Sequence, residues 1–156
     1  MLMQMHLSGI LSLMVKSDSA VLAWTRLVRA QTAAMGAIEG ALKQAGLPSL
    51  EWYDVLLELE RGGPLRPRDL QARLLLAQYN LSRLLDRMVD ARLVERLPCE
   101  QDGRGYVLMI TREGRAMRRR MWPIYAAAIE EAVGARLTAR EAEQLAALLE
   151  KLIDTD

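Results

Sequence analysis

The feature that most constrains this fold is the order of patterns between Leu47 and Arg115. Trp52, Val55, Leu56 and Leu59 recur at helical spacing, framed by Ser49 as a cap and Gly62-Gly63-Pro64 as a stop, which predicts a helix over Leu50–Arg61. Pro67 then occupies a first-turn position of a short helix carrying Leu70 and Leu74. A third helical pattern, Gln78–Ala91, gathers Leu81, Leu84, Leu85 and Met88 on one face and leaves Tyr79, Ser82, Arg83, Asp86 and Arg87 outward. Two strand-like runs follow, Leu93–Leu97 and Tyr106–Ile110, separated by an Asp102-Gly103-Arg104 tip.

Helix, helix, helix, strand, turn, strand is the build of a winged helix-turn-helix within a mainly α (α+β) fold. Such a unit presents one helix to a major groove and its hairpin to the neighbouring minor groove, so the order suggests duplex DNA as a partner. The charge agrees. Arg61–Arg120 holds fourteen Arg, no Lys and seven acids, a net of +7, while the rest of the chain carries −6, so the near-neutral total of +1 hides a basic segment. Solvated arginine-rich helices from a biased genome are the competing reading, but composition bias does not segregate the signs. A solvated surface helix would also share the periodicity of Gln78–Ala91; the side-chain types near its N-terminus favour DNA. Gln78 and Asn80 can address adenine edges, Arg83 can address guanine or phosphate, and Tyr79 and Ser82 can donate to phosphate, with Arg87 one turn further on.

The flanks read as helical dimerisation elements. The predicted organisation is an N-terminal extension over 1–18, a dimerisation helix over 19–46, the DNA-binding domain over 47–116 and C-terminal dimerisation helices over 117–156. Asp18 or Ser19 can cap the first long helix, whose stripe of Val21, Trp24, Val28, Met35, Ile38 and Leu42 ends at Gly46-Leu47-Pro48. Thr111 caps a helix bent near Pro123, and Thr138 with Glu141 forms a capping box for a last helix bearing Leu145, Leu148, Leu149 and Leu152. Residues 1–18 lack the charge pattern of a signal peptide and are too short and too often polar to span a bilayer, so they read as an extension packed on a partner or a start assigned too early. With 51% apolar residues, no Phe and abundant Leu, Ala and Arg, the composition favours helix. One Cys and one His allow neither an intramolecular disulfide nor a metal constellation, which points to a reducing cytoplasm and to no cofactor.

The region Leu47–Met117 resembles the winged helix-turn-helix of the multiple-antibiotic-resistance repressor (MarR) family of bacterial regulators. The resemblance rests on Leu50-x-Trp52-x-x-Val55-Leu56, Arg68-Asp69-Leu70, Leu81-Ser82-Arg83-Leu84-x-Asp86-Arg87-Met88, Ala91-Arg92-Leu93-Val94-Glu95-Arg96, Asp102-x-Arg104 and Leu108-x-Ile110-Thr111-x-x-Gly114. It implies a homodimer on a pseudo-palindromic operator, often released by a small aromatic, anionic effector. It also implies a recognition helix with Gln78, Tyr79, Asn80, Ser82 and Arg83 nearest the DNA, a wing Arg104 that enters the minor groove, and an Asp102 that orients the wing. Two positions depart from the family: Gly103 stands where a second wing Arg is usual, removing a charge and loosening the tip, and Ala91 stands where Gly or a similar residue usually precedes the strand.

For the effector, the resemblance implies a crevice between dimerisation helices and reading head, with Trp24, Arg26, Trp52 and Asp54 as liners suited to a phenolic acid. The other reading makes both Trp residues core and leaves Arg26 and Asp54 on the surface or paired. Cys99, at the base of the wing, offers an oxidative route only if its thiol is activated. The functional expectation is a ligand-responsive DNA-binding repressor; the alternative is a winged-helix interaction module that does not read DNA. An enzyme is disfavoured, since the sequence offers no phosphate loop, metal cluster or nucleophile elbow.

Overall fold

The computed structural model describes residues 2–75, 80–99 and 105–153, with side chains from residue 18 onward. The chain forms two units, Met1–Ala37 and Ile38–Asp156. The first is the N-terminal stretch of helix α1, which spans Leu2–Gln44 without interruption. The helix expected to start at Asp18 or Ser19 therefore continues to Leu2. No proline breaks that stretch, and Asp18 and Ser19 are exposed on it, where a polar side chain costs little. Thr25 and Thr32 bond back to the carbonyls of Val21 and Val28 at 2.8 and 2.9 Å. Val21, Leu22, Trp24 and Val28 are exposed, with Trp24 at 66%.

The second unit begins with the end of α1, where Ile38 and Leu42 are buried. The helix stops in a Schellman motif: Leu47 N donates to Leu42 O at 2.9 Å and Gly46 N to Lys43 O at 3.0 Å, with Gly46 at φ 65°. Helix α2 (Leu50–Gly62) follows. Ser49 holds the cap position, but its side chain makes no capping bond; the Glu39 carboxylate of α1 instead accepts the Leu50 N–H at 2.9 Å. Gly63, at φ 71°, ends α2. Pro67 opens α3 (Pro67–Gln71) as its first residue. Helix α4 covers Leu81–Asp90, shorter at both ends than the predicted Gln78–Ala91.

Strands β1 (Val94–Pro98) and β2 (Tyr106–Ile110) pair antiparallel, with Val94 opposite Ile110, Arg96 opposite Leu108 and Pro98 opposite Tyr106. Leu65 adds a bridge on the other edge of β2 through mutual backbone bonds with Leu108 of 3.1 and 2.8 Å. Helix α5 (Arg112–Ala132) runs through Pro123, and α6 (Ala139–Ile153) follows a short 3₁₀ turn.

One core sits between α2, α3, α4 and the hairpin. Val55, Leu56 and Leu59 of α2 meet Leu70, Leu84, Leu85 and Met88, and Val94, Leu108 and Ile110 close it from the sheet. Fully burying one such side chain contributes roughly 1.5–3 kcal/mol, so this packing fixes the orientation of α4. Among the described residues no helix is long and apolar enough to cross a membrane.

Candidate nucleic-acid interface

Helix α4 owes its two faces to its sequence. Leu84, Leu85 and Met88 are buried, Leu81 packs beside them, and Ser82, Arg83, Asp86 and Arg87 are exposed on the opposite side. Asn80 caps the helix, its Oδ1 accepting the Arg83 N–H at 3.2 Å. The sequence placed Asn80 inside the helix with its amide offered to a base; the structure commits its oxygen to the cap, because the first turn needs a partner for its free N–H groups. Arg83 and Ser82 thus lie in that first turn, where the helix dipole favours an anion such as phosphate. Gln78 and Tyr79, expected just before them, and Asp102 and Arg104 of the wing lie outside the described residues.

Arg87 is exposed, but its guanidinium sits 5.9 Å from the ring of Trp52, a cation–π arrangement that steadies the side chain at the rim of the helix. Trp52 itself packs on the winged-helix core. The hairpin approaches the same face. Arg96 of β1 reaches Asp86 of α4 at 2.5 Å, and its guanidinium lies 5.2 Å from the Tyr106 ring. The hydrogen bond to Asp86 is the largest influence holding the Arg96 pKa above its ordinary value; burial opposes it and the Tyr106 hydroxyl adds to it. At the wing base, Cys99 N donates to Gly105 O at 3.0 Å, and the Cys99 Sγ accepts a 3.3 Å contact from Arg66.

A second feature lies between α2 and α5. A cavity of about 510 Å³ is lined by Tyr53, Asp54, Arg61, Arg118, Trp122 and Tyr125, with Leu and Ile side chains between them. Tyr53 stacks on Trp122 at 6.1 Å, and Tyr125 meets both rings edge-on at 5.1 and 6.0 Å. Asp54 is only 7% exposed. Burial raises the Tyr125 pKa, and the charges of Tyr53 and Asp54 push it the same way. Arg118 forms a charge pair with Glu60 without an aligned hydrogen bond, and Arg61 lies 3.8 Å from Glu58.

Of the four residues expected to line an effector site, the structure brings only Asp54 into this cavity. Trp52 is two residues away, which in a helix turns it by about 200°, toward α4 and away from the cavity. Trp24 and Arg26 belong to the first unit, where both are exposed. The aromatic trio of Tyr53, Trp122 and Tyr125 escaped the sequence reading; its only sequence signal is Trp122 and Tyr125 three apart on α5. Among the described residues no cluster of His, Cys, Asp or Glu could hold a metal ion.

A three-helix head whose third helix buries one face and frees the other, followed by a two-stranded hairpin, defines a winged helix-turn-helix protein. Residues 45–105 match the MarR family model, and that segment is similar to the winged helix of that family. Its fold is similar to AbsC, a MarR family transcriptional regulator from Streptomyces coelicolor (26% identity, 87% of this chain and 93% of that one, TM-score 0.73). It is equally similar to Sco3205, a MarR family transcriptional regulator from the same organism solved in complex with DNA (26%, 85% and 84%, 0.73). BpsR of Bordetella bronchiseptica, whose structure is described as showing how 6-hydroxynicotinic acid regulates its DNA binding, shares the fold at 22% identity (83% and 91%, TM-score 0.74). No curated protein matches the sequence.

Proposed function

We propose that this chain is a sequence-specific transcriptional regulator that binds duplex DNA as a homodimer on a pseudo-palindromic operator and represses from it. The observation that carries the reading is α4 itself: its apolar face is locked in the core while Ser82, Arg83 and Arg87 stand exposed beside the hairpin. The net +7 of Arg61–Arg120 supplies the phosphate attraction. Gln78, Tyr79 and Arg104 join this surface in the proposal, with Asp102 orienting the wing. Selection of bound duplexes from a random pool tests it. Affinity for the selected operator should fall with salt at a log–log slope of about −0.9 per phosphate neutralised, and Arg83→Ala should cost about 1–3 kcal/mol and relax preference at particular base pairs. A flat salt response, or an Arg83→Ala variant that binds like the parent, would overturn it.

The cavity between α2 and α5 favours a second element, release by an aromatic acid of the class to which 6-hydroxynicotinic acid belongs. Rings of Tyr53, Trp122 and Tyr125 offer apolar faces, Arg61 and Arg118 offer cationic groups, and Asp54 offers an acceptor for a phenol or ring N–H. A ligand shifts DNA affinity only by its preference for the non-binding state, and a tenfold preference supplies about 1.4 kcal/mol per site. Titration of Trp fluorescence with aromatic acids, with and without operator, measures both halves of that linkage; no saturable binding across a broad panel, or binding indifferent to DNA, removes the effector.

A further inference from the structure

Arg96 carries a positive charge next to a DNA-reading helix, yet its side chain is already committed. It is paired in register with Leu108, on the face of the hairpin that carries Val94 and Leu108 into the core, and it extends past the core edge toward α4. There its Nη2 meets Asp86 Oδ1 at 2.5 Å, while the Tyr106 ring, diagonal to it across the strand pair, lies 5.2 Å from the guanidinium. Asp86 is an acid in the exposed row of Ser82, Arg83 and Arg87, the part of the helix nearest its N-terminus and the hairpin; the other exposed acid, Asp90, lies at the far end of the helix. A carboxylate there repels phosphate, and in this structure its charge is met by Arg96.

We propose that Asp86, Arg96 and Tyr106 form a strut that sets the angle between the recognition helix and the hairpin, so that both can engage one stretch of duplex. Arg96 and Asp86 are then positioning residues for DNA recognition, not phosphate contacts. The inference rests on the reading of α4 and the hairpin as the DNA interface.

The test turns on a sign. Asp86→Asn raises the net charge of the DNA-facing helix by one and, if Asp86 were only a solvated acid, would tighten binding to every duplex. As part of a strut it weakens binding to the selected operator by about two- to fivefold per half-site, the range an exposed ion pair supports, while leaving random duplex unchanged or slightly better bound. Arg96→Met loses both contacts and weakens operator binding at least as far; Arg96→Lys keeps the charge and the pair with Asp86 and recovers part of the loss. Tyr106→Leu removes only the ring and has the smallest effect. In the free protein, the backbone amides of β1 and β2 exchange faster in Arg96→Met while those of the α4 core turn do not, which a fold-wide loss of stability would not produce. Operator binding of Asp86→Asn equal to or tighter than the parent overturns the strut. Failure of the unmodified protein to select any duplex overturns the interface reading instead, so the two failures are told apart.

Discussion

Gly114, in the first turn of α5, packs so closely on the carbonyl oxygen of Leu93 that a methyl group on its Cα would overlap that oxygen. The same methyl would lie 2.8 Å from Ile110 Cγ1 and 3.1 Å from Leu56 Cδ2. Thr111 completes the junction: its N–H donates to Leu93 O at 3.1 Å, its hydroxyl donates to Arg92 O at 2.8 Å, and the hydroxyl oxygen accepts the Gly114 N–H at 2.9 Å. Helix α5 is thereby seated on the turn that links α4 to the hairpin. Alanine is a better helix former than glycine by about 1 kcal/mol. Gly114→Ala is nevertheless expected to destabilise by about 1–3 kcal/mol, because the backbone oxygen it meets cannot move aside. Denaturant unfolding checks this, and a neutral or stabilised variant contradicts the close approach.

Arg92 is the one non-glycine residue at positive φ among the described residues, at 59°. It ends α4 in a second Schellman motif, with Leu93 N bonded to Met88 O at 3.0 Å and Arg92 N to Val89 O at 2.9 Å. The sequence departure noted at Ala91 is thus beside the strained residue: Ala91 is ordinary αR at φ −76°. A left-handed L-residue costs roughly 1–2 kcal/mol, partly offset by the roughly 0.5–1 kcal/mol of extra chain entropy glycine loses on folding. Arg92→Gly should therefore raise stability by up to about 1 kcal/mol in the same unfolding assay. A clear loss of stability would show that the Arg side chain contributes more than its backbone costs.

Glu141 accepts from the Thr138 N–H and hydroxyl, each at 2.8 Å, while Thr138 Oγ1 accepts the Glu141 N–H at 3.3 Å. The backbone hydrogen bond from Thr138 is the main cause holding the Glu141 carboxyl below its ordinary value, with the hydroxyl second. A depressed folded value means the capping contribution is present above the ordinary carboxylate range and is lost as pH falls through the depressed value. Protection of the first-turn amides of α6 should fall on acidification in the parent protein and vary less in Glu141→Gln. Parallel profiles would rule out Glu141 as the titrating cap.

Helix α6 has no buried residue, and Leu145, Leu148, Leu152 and Ile153 are exposed, the last two at 68% and 71%. Trp24, Val21 and Leu22 are likewise exposed on α1. Stripes of this kind mark surfaces that another chain covers. Sedimentation at micromolar concentration is expected to show a dimer, and Leu148→Glu with Leu152→Glu should shift it toward monomer and weaken operator binding together. A stable, folded monomer of the unmodified protein would contradict the prediction.

Signals confined to a few neighbouring residues were legible in the sequence. The faces of α4, the proline start of α3, the Thr111 cap, the Thr138–Glu141 box and strand β2 all follow from side-chain period or from i, i+3 chemistry. Signals that depend on distant partners were not. Ser49 looks like a cap, yet the Leu50 N–H goes to Glu39, eleven residues earlier on another helix. Leu65 joins the sheet through a single bridge, too short to leave a periodic trace. The start of α1 was misplaced because Asp18 and Ser19 can cap a helix but equally sit exposed within one.

What the sequence determined by itself is the order of helices and strands from α2 to α6, the buried faces of α2 and α4, and the placing of positive charge on the segment that holds the reading head, because period, capping and charge are properties of short stretches. The tertiary structure alone decided which side chains meet. It turned Trp52 under Arg87 while Asp54 entered a cavity with Trp122 and Tyr125, and it brought Arg96 to Asp86 across the join of hairpin and helix. The first two arise because α2 lies between α4 on one side and α5 on the other, and the third because β1 packs beside α4; an element can present different residues to different neighbours only after those neighbours have docked.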